Sequence, residues 1–188
     1  MVAGLVAGAS LVAAWRDDPT LGAGLTGLPQ LLREQKAPPR EAIVETLASA
    51  KTAFVLGRGA TFGIAAEAAL KLKETCAMHA EAISAAELRH GPMALVRPGF
   101  PLLVFSQNDE SRAGVAALAA ELAGAGADVL LAGGSARDAT VLPALETHPV
   151  IEPLLFTQSF YRLANALALA RGLDPDRPPH LHKVTETL

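Results

Sequence analysis

Three short and almost wholly apolar runs constrain the fold of this chain more than any other feature of its sequence. They are Ala53–Leu56, Pro101–Ser106 and Asp128–Ala132, and each is followed by a segment with helical character. A strand that is apolar along its whole length belongs in a sheet covered on both faces. The intervening segments are long enough to return the chain for parallel pairing. The sequence therefore predicts an α/β fold, with a doubly wound, mostly parallel sheet of four or five strands flanked by helices.

Apolar periodicity, together with glycine and proline signals, places the other elements. Gly124 and Gly172 each follow a predicted helix as a stop signal, and Thr61 is suited to cap the helix after the first strand. A short extended piece is predicted at Ala80–Ile83 and a short strand at Val150–Ile151. The predicted helices are 2–16, Leu28–Gln35, Glu41–Ala50, Phe62–Met78, Ala85–Arg89, Glu110–Ala123 and Pro153–Arg171.

The domain boundary is predicted at Lys36–Arg40, because its two consecutive prolines stop a helix and force extension. The main domain then covers residues 41–173, and the proline-rich residues 174–188 form a tail or lid without a core of its own. Residues 1–35 precede the linker as a helical segment. Their apolar start is too short to span a bilayer. We expect it to form a helix whose apolar surface is incompletely covered within the monomer.

Composition excludes several classes of partner. Hydrophobic residues make up 51% and charged residues 19% of the 188 residues, and the formal net charge is -3. A nucleic-acid surface would show clustered lysine and arginine, so neither a nucleic-acid nor a membrane partner is expected. Cys76 is the single cysteine, which excludes an internal disulfide and favours a reducing, cytoplasmic compartment. The five histidines show no strong metal-ligand spacing, and no metal or other cofactor is expected.

The segment from Ala66 to Leu95 contains the residues best suited to chemistry. Helical spacing places Glu67, Lys71 and Glu74 on one face, and His90 follows in a helix-ending Leu-Arg-His-Gly-Pro sequence. A carboxylate, an ammonium and an imidazole in one neighbourhood can move protons on a polar substrate. We expect Lys71 and Glu74 to point towards the carboxyl edge of the sheet, where such folds bind ligands.

Each candidate also has a purely structural interpretation. An (i, i+3) pair of Lys71 with Glu74 on a helix surface is worth about 0.2–0.5 kcal/mol and needs no catalytic role. The loop that contains Arg58 and leads to Thr61 precedes a helix N-terminus, which could bind an anionic substrate. A tight turn is the simpler interpretation of this loop. Lys183 is either a solvated charge or part of a lid that completes a site.

Four segments make the sequence resemble the second sugar isomerase (SIS) domain of double-SIS sugar-phosphate enzymes. They are LGRG (56–59), EAALKLKE (67–74), HAEAISAAELRHGPMAL (79–95) and HKVTETL (182–188). The pattern is similar to the isomerase half of glutamine–fructose-6-phosphate amidotransferases and to amino-sugar-phosphate deaminases. The resemblance runs from about Phe54 to the C-terminus, and it implies the doubly wound SIS fold.

The resemblance also implies roles for individual residues. Glu74 would shuttle a proton between C1 and C2 of an open-chain sugar, and Lys71 would balance charge or hold a sugar oxygen. His90 would open the sugar ring from across a homodimer interface, which gives a shared site. Lys183 would reach the sugar carbonyl. The implied substrate is a hexose or amino-hexose phosphate, such as fructose 6-phosphate or glucosamine 6-phosphate, and no cofactor is needed.

Several alternatives remain open at the level of sequence. Residues 1–35 resemble the last helices of a preceding SIS domain, which would make the chain a fragment with low activity alone. The serine-rich phosphate loop of a first SIS domain is not recognisable, so the chain would lack the main anchor for a sugar phosphate. A second interpretation is a non-catalytic module that binds a carbohydrate derivative, although such modules keep a Ser/Thr phosphate loop and lack the KLKE…HGP residues found here. A truncated remnant is a further alternative. The choice between aminotransferase, deaminase and isomerase is not decided.

Overall fold

The computed structural model of the protein describes residues 2–36 and 40–179. Residues 37–39 of the predicted linker and residues 180–188 of the predicted tail, including Lys183, lie outside these ranges. None of the helices in the described ranges is long and apolar enough to cross a membrane. In chain order the elements are α1 (Val2–Trp15), α2 (Pro19–Glu34), α3 (Arg40–Leu47), β1 (Thr52–Gly57), α4 (Ala60–Cys76), β2 (His79–Ser84), two 3₁₀ turns (Leu88–His90 and Pro92–Leu95), β3 (Pro101–Phe105), α5 (Arg112–Gly124), β4 (Asp128–Ala132), β5 (Thr140–Leu142) and α6 (Glu152–Ala170).

The five strands form one parallel sheet in the order β2-β1-β3-β4-β5. The chain starts at β1, adds β2 on one side and then β3 to β5 on the other, so the winding reverses between β1 and β3. Apolar side chains cover both faces: Val55 and Leu103 pack with α4 and α6, whereas Leu56 and Leu102 pack with α5. The predicted doubly wound α/β fold is confirmed.

Helix α2 begins at Pro19 and not at the predicted Leu28. Asp18 caps it, because its Oδ1 accepts hydrogen bonds from the N–H groups of Thr20 at 3.1 Å and Leu21 at 3.0 Å. Proline is well suited to the first helical position, where its missing N–H is not needed. The glycines of this segment lower its helix propensity, but burial of Leu21 and Leu28 in a cluster shared with α1 and α6 stabilises the helix.

Two other predicted elements are wrong. The segment Ala85–Arg89 forms a turn and a 3₁₀ helix, because the stretch between β2 and Gly91 is too short to sustain an α-helix. The strand predicted at Val150–Ile151 is not a strand: Ile151 precedes α6 and is fully buried against the N-terminal helices. The extended piece predicted at Ala80–Ile83 is part of the full strand β2.

Helices α1 and α2 pack as a layer on the start of α6. Leu21 and Leu28 share a buried cluster there with Ile151. Much of α1 faces away from this cluster, and Leu11 and Trp15 are 72% and 86% exposed. The expectation that the apolar surface of α1 is incompletely covered is therefore confirmed.

Candidate active site

Helix α4 runs in the direction opposite to the strands, and this fixes where the candidate residues lie. It begins after the carboxyl end of β1 and ends at Cys76, two intervening residues before β2 begins at His79. The N–H of His79 donates a hydrogen bond to the carbonyl of Lys51 at 3.1 Å, just before β1. Lys71 and Glu74, in its last turns, therefore lie near the amino edge of the sheet. The expectation that they point towards the carboxyl edge is wrong, because a parallel crossover must return its helix to the start of the next strand.

Glu67, Lys71 and Glu74 nevertheless lie together, as their spacing predicts, and we call them the acid–lysine cluster. The Nζ of Lys71 lies 2.6 Å from Oε2 of Glu74 and 3.9 Å from Oε1 of Glu67. All three side chains are partly exposed, at 31% for Lys71, 23% for Glu74 and 17% for Glu67. A ligand can therefore reach the cluster from solvent, although its groups are partly removed from water. Met78 is not part of it, because that side chain is buried in the core.

Tyr161 is a member of this neighbourhood that sequence reasoning missed. It projects from α6, and its phenolic O–H donates a hydrogen bond to Oε1 of Glu67 at 2.8 Å. Burial raises the pKa of the Tyr161 phenol, and the hydrogen bond to Glu67 and the charge of that carboxylate raise it further. The phenol therefore stays protonated and remains a donor. Its distance along the chain from α4 left no local signal for this contact.

The C-terminal segment leaves the fold at the same edge as the acid–lysine cluster. Helix α6 packs along α4 and ends at Ala170, and the next residue, Arg171, anchors that end to the loop before β1. Its Nη1 donates to the carbonyl oxygens of Ala48 at 2.8 Å and Ala50 at 2.9 Å. The chain that leads to Lys183 thus departs from the end of the sheet at which Glu74 lies.

His90 lies at the opposite end of the sheet. It belongs to the 3₁₀ turn that follows the carboxyl end of β2, and it is exposed. Strand β2 has six residues, which corresponds to about 20 Å at ~3.3 Å per residue. One copy of the chain therefore does not bring Glu74 and His90 into a single site.

The loop Gly57–Arg58–Gly59 at the carboxyl edge is a tightly constrained turn. A Cβ on Gly57 would lie 2.4 Å from the carbonyl oxygen of Thr61, so only glycine allows the strand and helix to approach this closely. Gly59 has a φ of +58°, a conformation that side chains rarely adopt. Arg58 is exposed and lines a cavity of about 520 Å³ together with Arg89 and other residues of this edge. Arg58 thus remains a candidate for binding a substrate or a partner.

Thr61, which was a candidate substrate-binding residue, has a different role in the structure. It is fully buried, and its hydroxyl accepts a hydrogen bond from the N–H of Arg58 at 3.0 Å and lies 2.6 Å from Oε1 of Gln107. Gln107 in turn donates to the carbonyl of Arg58 at 2.8 Å. The hydroxyl therefore fixes the loop to the end of β3 and is not accessible to a substrate.

A buried ion pair lies further along the carboxyl edge. Glu152, at the start of α6, is fully buried; its carboxylate accepts hydrogen bonds from the N–H groups of Asn108 at 2.6 Å and Thr147 at 3.0 Å, and from Arg112 at 3.1 Å. Burial raises the pKa of Glu152, while these hydrogen bonds and the charge of Arg112 oppose the rise. Because every oxygen has a partner, we interpret this pair as a structural clamp between α5, α6 and the loop before α6.

Metal binding finds no support in the described part of the chain. Across residues 2–36 and 40–179, no three or more His, Cys, Asp and Glu side chains are placed to hold a metal ion. Cys76 is buried, and burial raises the pKa of its thiol, so it is a core residue and not a nucleophile.

The fold is that of an α/β domain with a doubly wound parallel sheet. The SIS domain family matches residues 46–141, and the chain belongs to that family. It is 37% identical over 145 residues to a glutamine–fructose-6-phosphate aminotransferase (isomerizing) of Aeropyrum pernix, an alignment that covers 73% of this chain and 23% of that enzyme.

Two solved structures are similar to the chain in both fold and sequence. A protein of Silicibacter pomeroyi, provisionally classed as a phosphosugar isomerase, is 38% identical with a TM-score of 0.82, covering 91% of this chain and 53% of that one. A glucosamine-6-phosphate deaminase of Thermotoga maritima is 26% identical with a TM-score of 0.60, covering 88% and 49%. The chain thus spans about a quarter of the curated relative (23%) and about half of the solved chains (53% and 49%).

The role of Thr61 predicts a specific stability pattern. Thr61→Val keeps the shape of the side chain but leaves the N–H of Arg58 and Oε1 of Gln107 without their partner. We expect it to lower the free energy of unfolding by about 1–3 kcal/mol in urea denaturation. Thr61→Ser retains the hydroxyl and serves as the control, with a smaller loss from the missing methyl group. Equal losses in the two variants would show that the hydroxyl does not hold the loop.

Proposed function

We propose that this chain supplies the proton-transfer half of a sugar-phosphate isomerase site. The substrate class is an open-chain hexose or amino-hexose phosphate, such as fructose 6-phosphate or glucosamine 6-phosphate. The observation that carries the proposal is the acid–lysine cluster: a partly exposed Glu74 carboxylate held 2.6 Å from the Lys71 ammonium. Membership of the SIS domain family and similarity to an isomerizing aminotransferase support it.

The cluster provides the groups that an aldose–ketose interconversion needs. Glu74 takes the proton from the carbon next to the carbonyl. The C–H electron pair then forms a C1–C2 double bond, and the π pair of the carbonyl moves onto the carbonyl oxygen. Lys71 lies where it can stabilise the charge that develops on that oxygen. A proton passes from the adjacent hydroxyl to the former carbonyl oxygen, so that the double bond can re-form as a carbonyl at the first carbon. Glu74 then returns its proton to the other carbon, which completes the transfer between C1 and C2 without a metal or a redox cofactor.

The proposed site is shared between two copies of the chain. Glu74 lies near the amino edge of the sheet and His90 beyond its carboxyl edge, so His90 must come from a second copy if it opens the ring of a sugar bound at Glu74. This arrangement requires a homodimer in which the carboxyl edge of one chain approaches the amino edge of the other. Since such an interface has a two-fold axis, it forms two identical sites.

The C-terminal tail completes the proposed site. Because α6 ends near the amino edge of the sheet, the residues that follow Arg171 begin close to the acid–lysine cluster. We propose that Lys183 contacts the sugar carbonyl, as the resemblance implies. A lysine amine beside an open-chain ketose can form a Schiff base, in which a C=N bond replaces the C=O bond and the carbonyl oxygen leaves as water. In this proposal residues 174–188 act as a lid over Glu74 and Lys71.

More than one overall reaction is compatible with this proton transfer. The relative from Aeropyrum pernix uses glutamine, as its name states, whereas the protein from Thermotoga maritima is a deaminase. The two names specify fructose 6-phosphate and glucosamine 6-phosphate, and the proposed C1–C2 proton transfer would serve both reactions. Release of ammonia from glucosamine 6-phosphate by the purified protein would favour the deaminase, and its absence alongside isomerisation would favour the isomerase.

Glu74→Gln tests the catalytic role of the cluster. The amide keeps the shape of the side chain but cannot accept a proton, so only an interaction made in the transition state is lost. We expect solvent deuterium incorporation at C1 and C2 of the sugar phosphate to fall at least about 100-fold, with sugar-phosphate binding nearly unchanged. Exchange is measured by NMR and binding by calorimetry.

The matched control is Glu34→Gln, which makes the same chemical change at an exposed residue of α2. It should exchange deuterium at the wild-type rate. If Glu74→Gln also exchanges at that rate, the base is another residue. If wild-type protein binds the sugar phosphate but never exchanges its protons, the chain is a non-catalytic binding module.

Co-expression of two inactive variants tests the shared site. In a dimer of one Glu74→Gln chain and one His90→Ala chain, one of the two sites combines the intact Glu74 with the intact His90. Random pairing makes half of the dimers mixed, so we expect about a quarter of wild-type turnover on the cyclic sugar. Each variant alone should show little turnover. A co-expressed mixture that is no more active than the average of the separate variants contradicts a site built from two chains.

A further inference from the structure

Lys71 has two carboxylates within reach and pairs closely with only one of them. Glu67 precedes it by four residues, which is the favoured order for a glutamate–lysine pair on a helix. Glu74 follows it by three residues, with the lysine on the N-terminal side. The observed distances nevertheless favour Glu74, at 2.6 Å against 3.9 Å for Glu67. Something outside α4 therefore overrides the preference of the isolated helix.

The group that opposes the Glu67–Lys71 pair is the phenol of Tyr161. Its O–H donates to Oε1 of Glu67 at 2.8 Å, and this is the carboxylate oxygen that lies nearer to Lys71. The packing of α6 along α4 holds the tyrosine in place, and its ring contacts Phe160. Because the phenol remains protonated, it donates to Glu67 throughout the pH range in which a carboxylate titrates.

We propose that Tyr161 is a positioning residue that holds Glu67 away from Lys71 and so keeps Lys71 paired with Glu74. Only the catalytic consequence of this inference rests on the proposed function. That consequence is that a residue of α6 determines which cation lies beside the catalytic base. The tyrosine acts through Glu67 and need not touch the substrate.

The other described charged groups near this end of α4 are not placed to hold Glu67 away from Lys71. Strand β2 places Ala80 and Ala82 on the face that packs against α4, whereas Ile83 packs on the opposite face. His79 and Glu81 alternate with these alanines and are exposed. Lys73 is exposed on α4 itself, and Arg171 on the α6 side is bound to backbone carbonyls of the loop before β1.

The test follows the ionisation of Glu74 directly. The carboxyl carbon of Glu74 is monitored by NMR in ¹³C-labelled protein across an acid titration, for wild type and for Tyr161→Phe. Without the phenolic hydroxyl, Glu67 is free to pair with Lys71, and a carboxylate that loses a neighbouring cation is harder to deprotonate. We expect the midpoint for Glu74 to lie at higher pH in Tyr161→Phe than in wild type.

The matched comparison uses Glu67→Gln, which removes the competing carboxylate. Adding Tyr161→Phe to Glu67→Gln should leave the Glu74 midpoint where Glu67→Gln alone places it, because no competitor remains to be released. A residue that only supports the packing of α6 on α4 would produce the same change in both backgrounds. An unchanged midpoint in Tyr161→Phe, or the same shift with and without Glu67, overturns the proposal.

This titration is independent of turnover, so it separates the inference from the proposed function. If Glu74→Gln does not slow deuterium exchange but the midpoint shifts as expected, the proposed function fails and the role of Tyr161 stands. If Glu74→Gln abolishes exchange but Tyr161→Phe leaves the midpoint unchanged, the proposed function stands and this inference fails. Circular dichroism of each variant, recorded beside the titration, confirms that the compared proteins are equally folded.

Discussion

The parallel pairing of β1 with β2 is the constraint on which the rest of the structure depends. It forces α4 to run against the strands, so the two ends of this one helix lie at opposite edges of the sheet. The first turn of α4 contributes Thr61 to the loop at the carboxyl edge, and its last turns contribute Lys71 and Glu74 near the amino edge. If Glu74 and His90 act on one substrate, as we propose, the topology requires that they come from two chains.

The two edges use polar groups in different ways. At the carboxyl edge, the hydroxyl of Thr61 and the carboxylate of Glu152 are buried and saturated with hydrogen bonds. Such groups hold backbone segments together and have no remaining capacity for a ligand. The acid–lysine cluster is partly exposed and pairs its charges through a single close contact. Since a base must be accessible to its substrate, the proposed proton transfer belongs at the amino edge.

Local pattern was sufficient for much of the fold, and the strand Asp128–Ala132 has the predicted limits. Local pattern failed where tertiary contacts override propensity, as they do for the glycine-containing start of α2 and for Ile151. It also failed for β5, because an edge strand this short leaves little periodic signal. Helical spacing predicted that Lys71 and Glu74 share a face. It did not predict the contact of Tyr161 with Glu67, which depends on how α6 packs on α4.

A crystal structure of the protein bound to an open-chain sugar-phosphate analogue, such as a hexitol 6-phosphate, tests the central claim most directly. We expect C1 and C2 of the analogue to lie within about 3–3.5 Å of the Glu74 carboxylate of one chain. His90 of a second chain should lie within hydrogen-bond reach of the analogue oxygens that correspond to those taking part in ring opening of the sugar. An analogue bound at the carboxyl edge of one chain, away from Glu74 and without a contribution from a second copy, would contradict the claim.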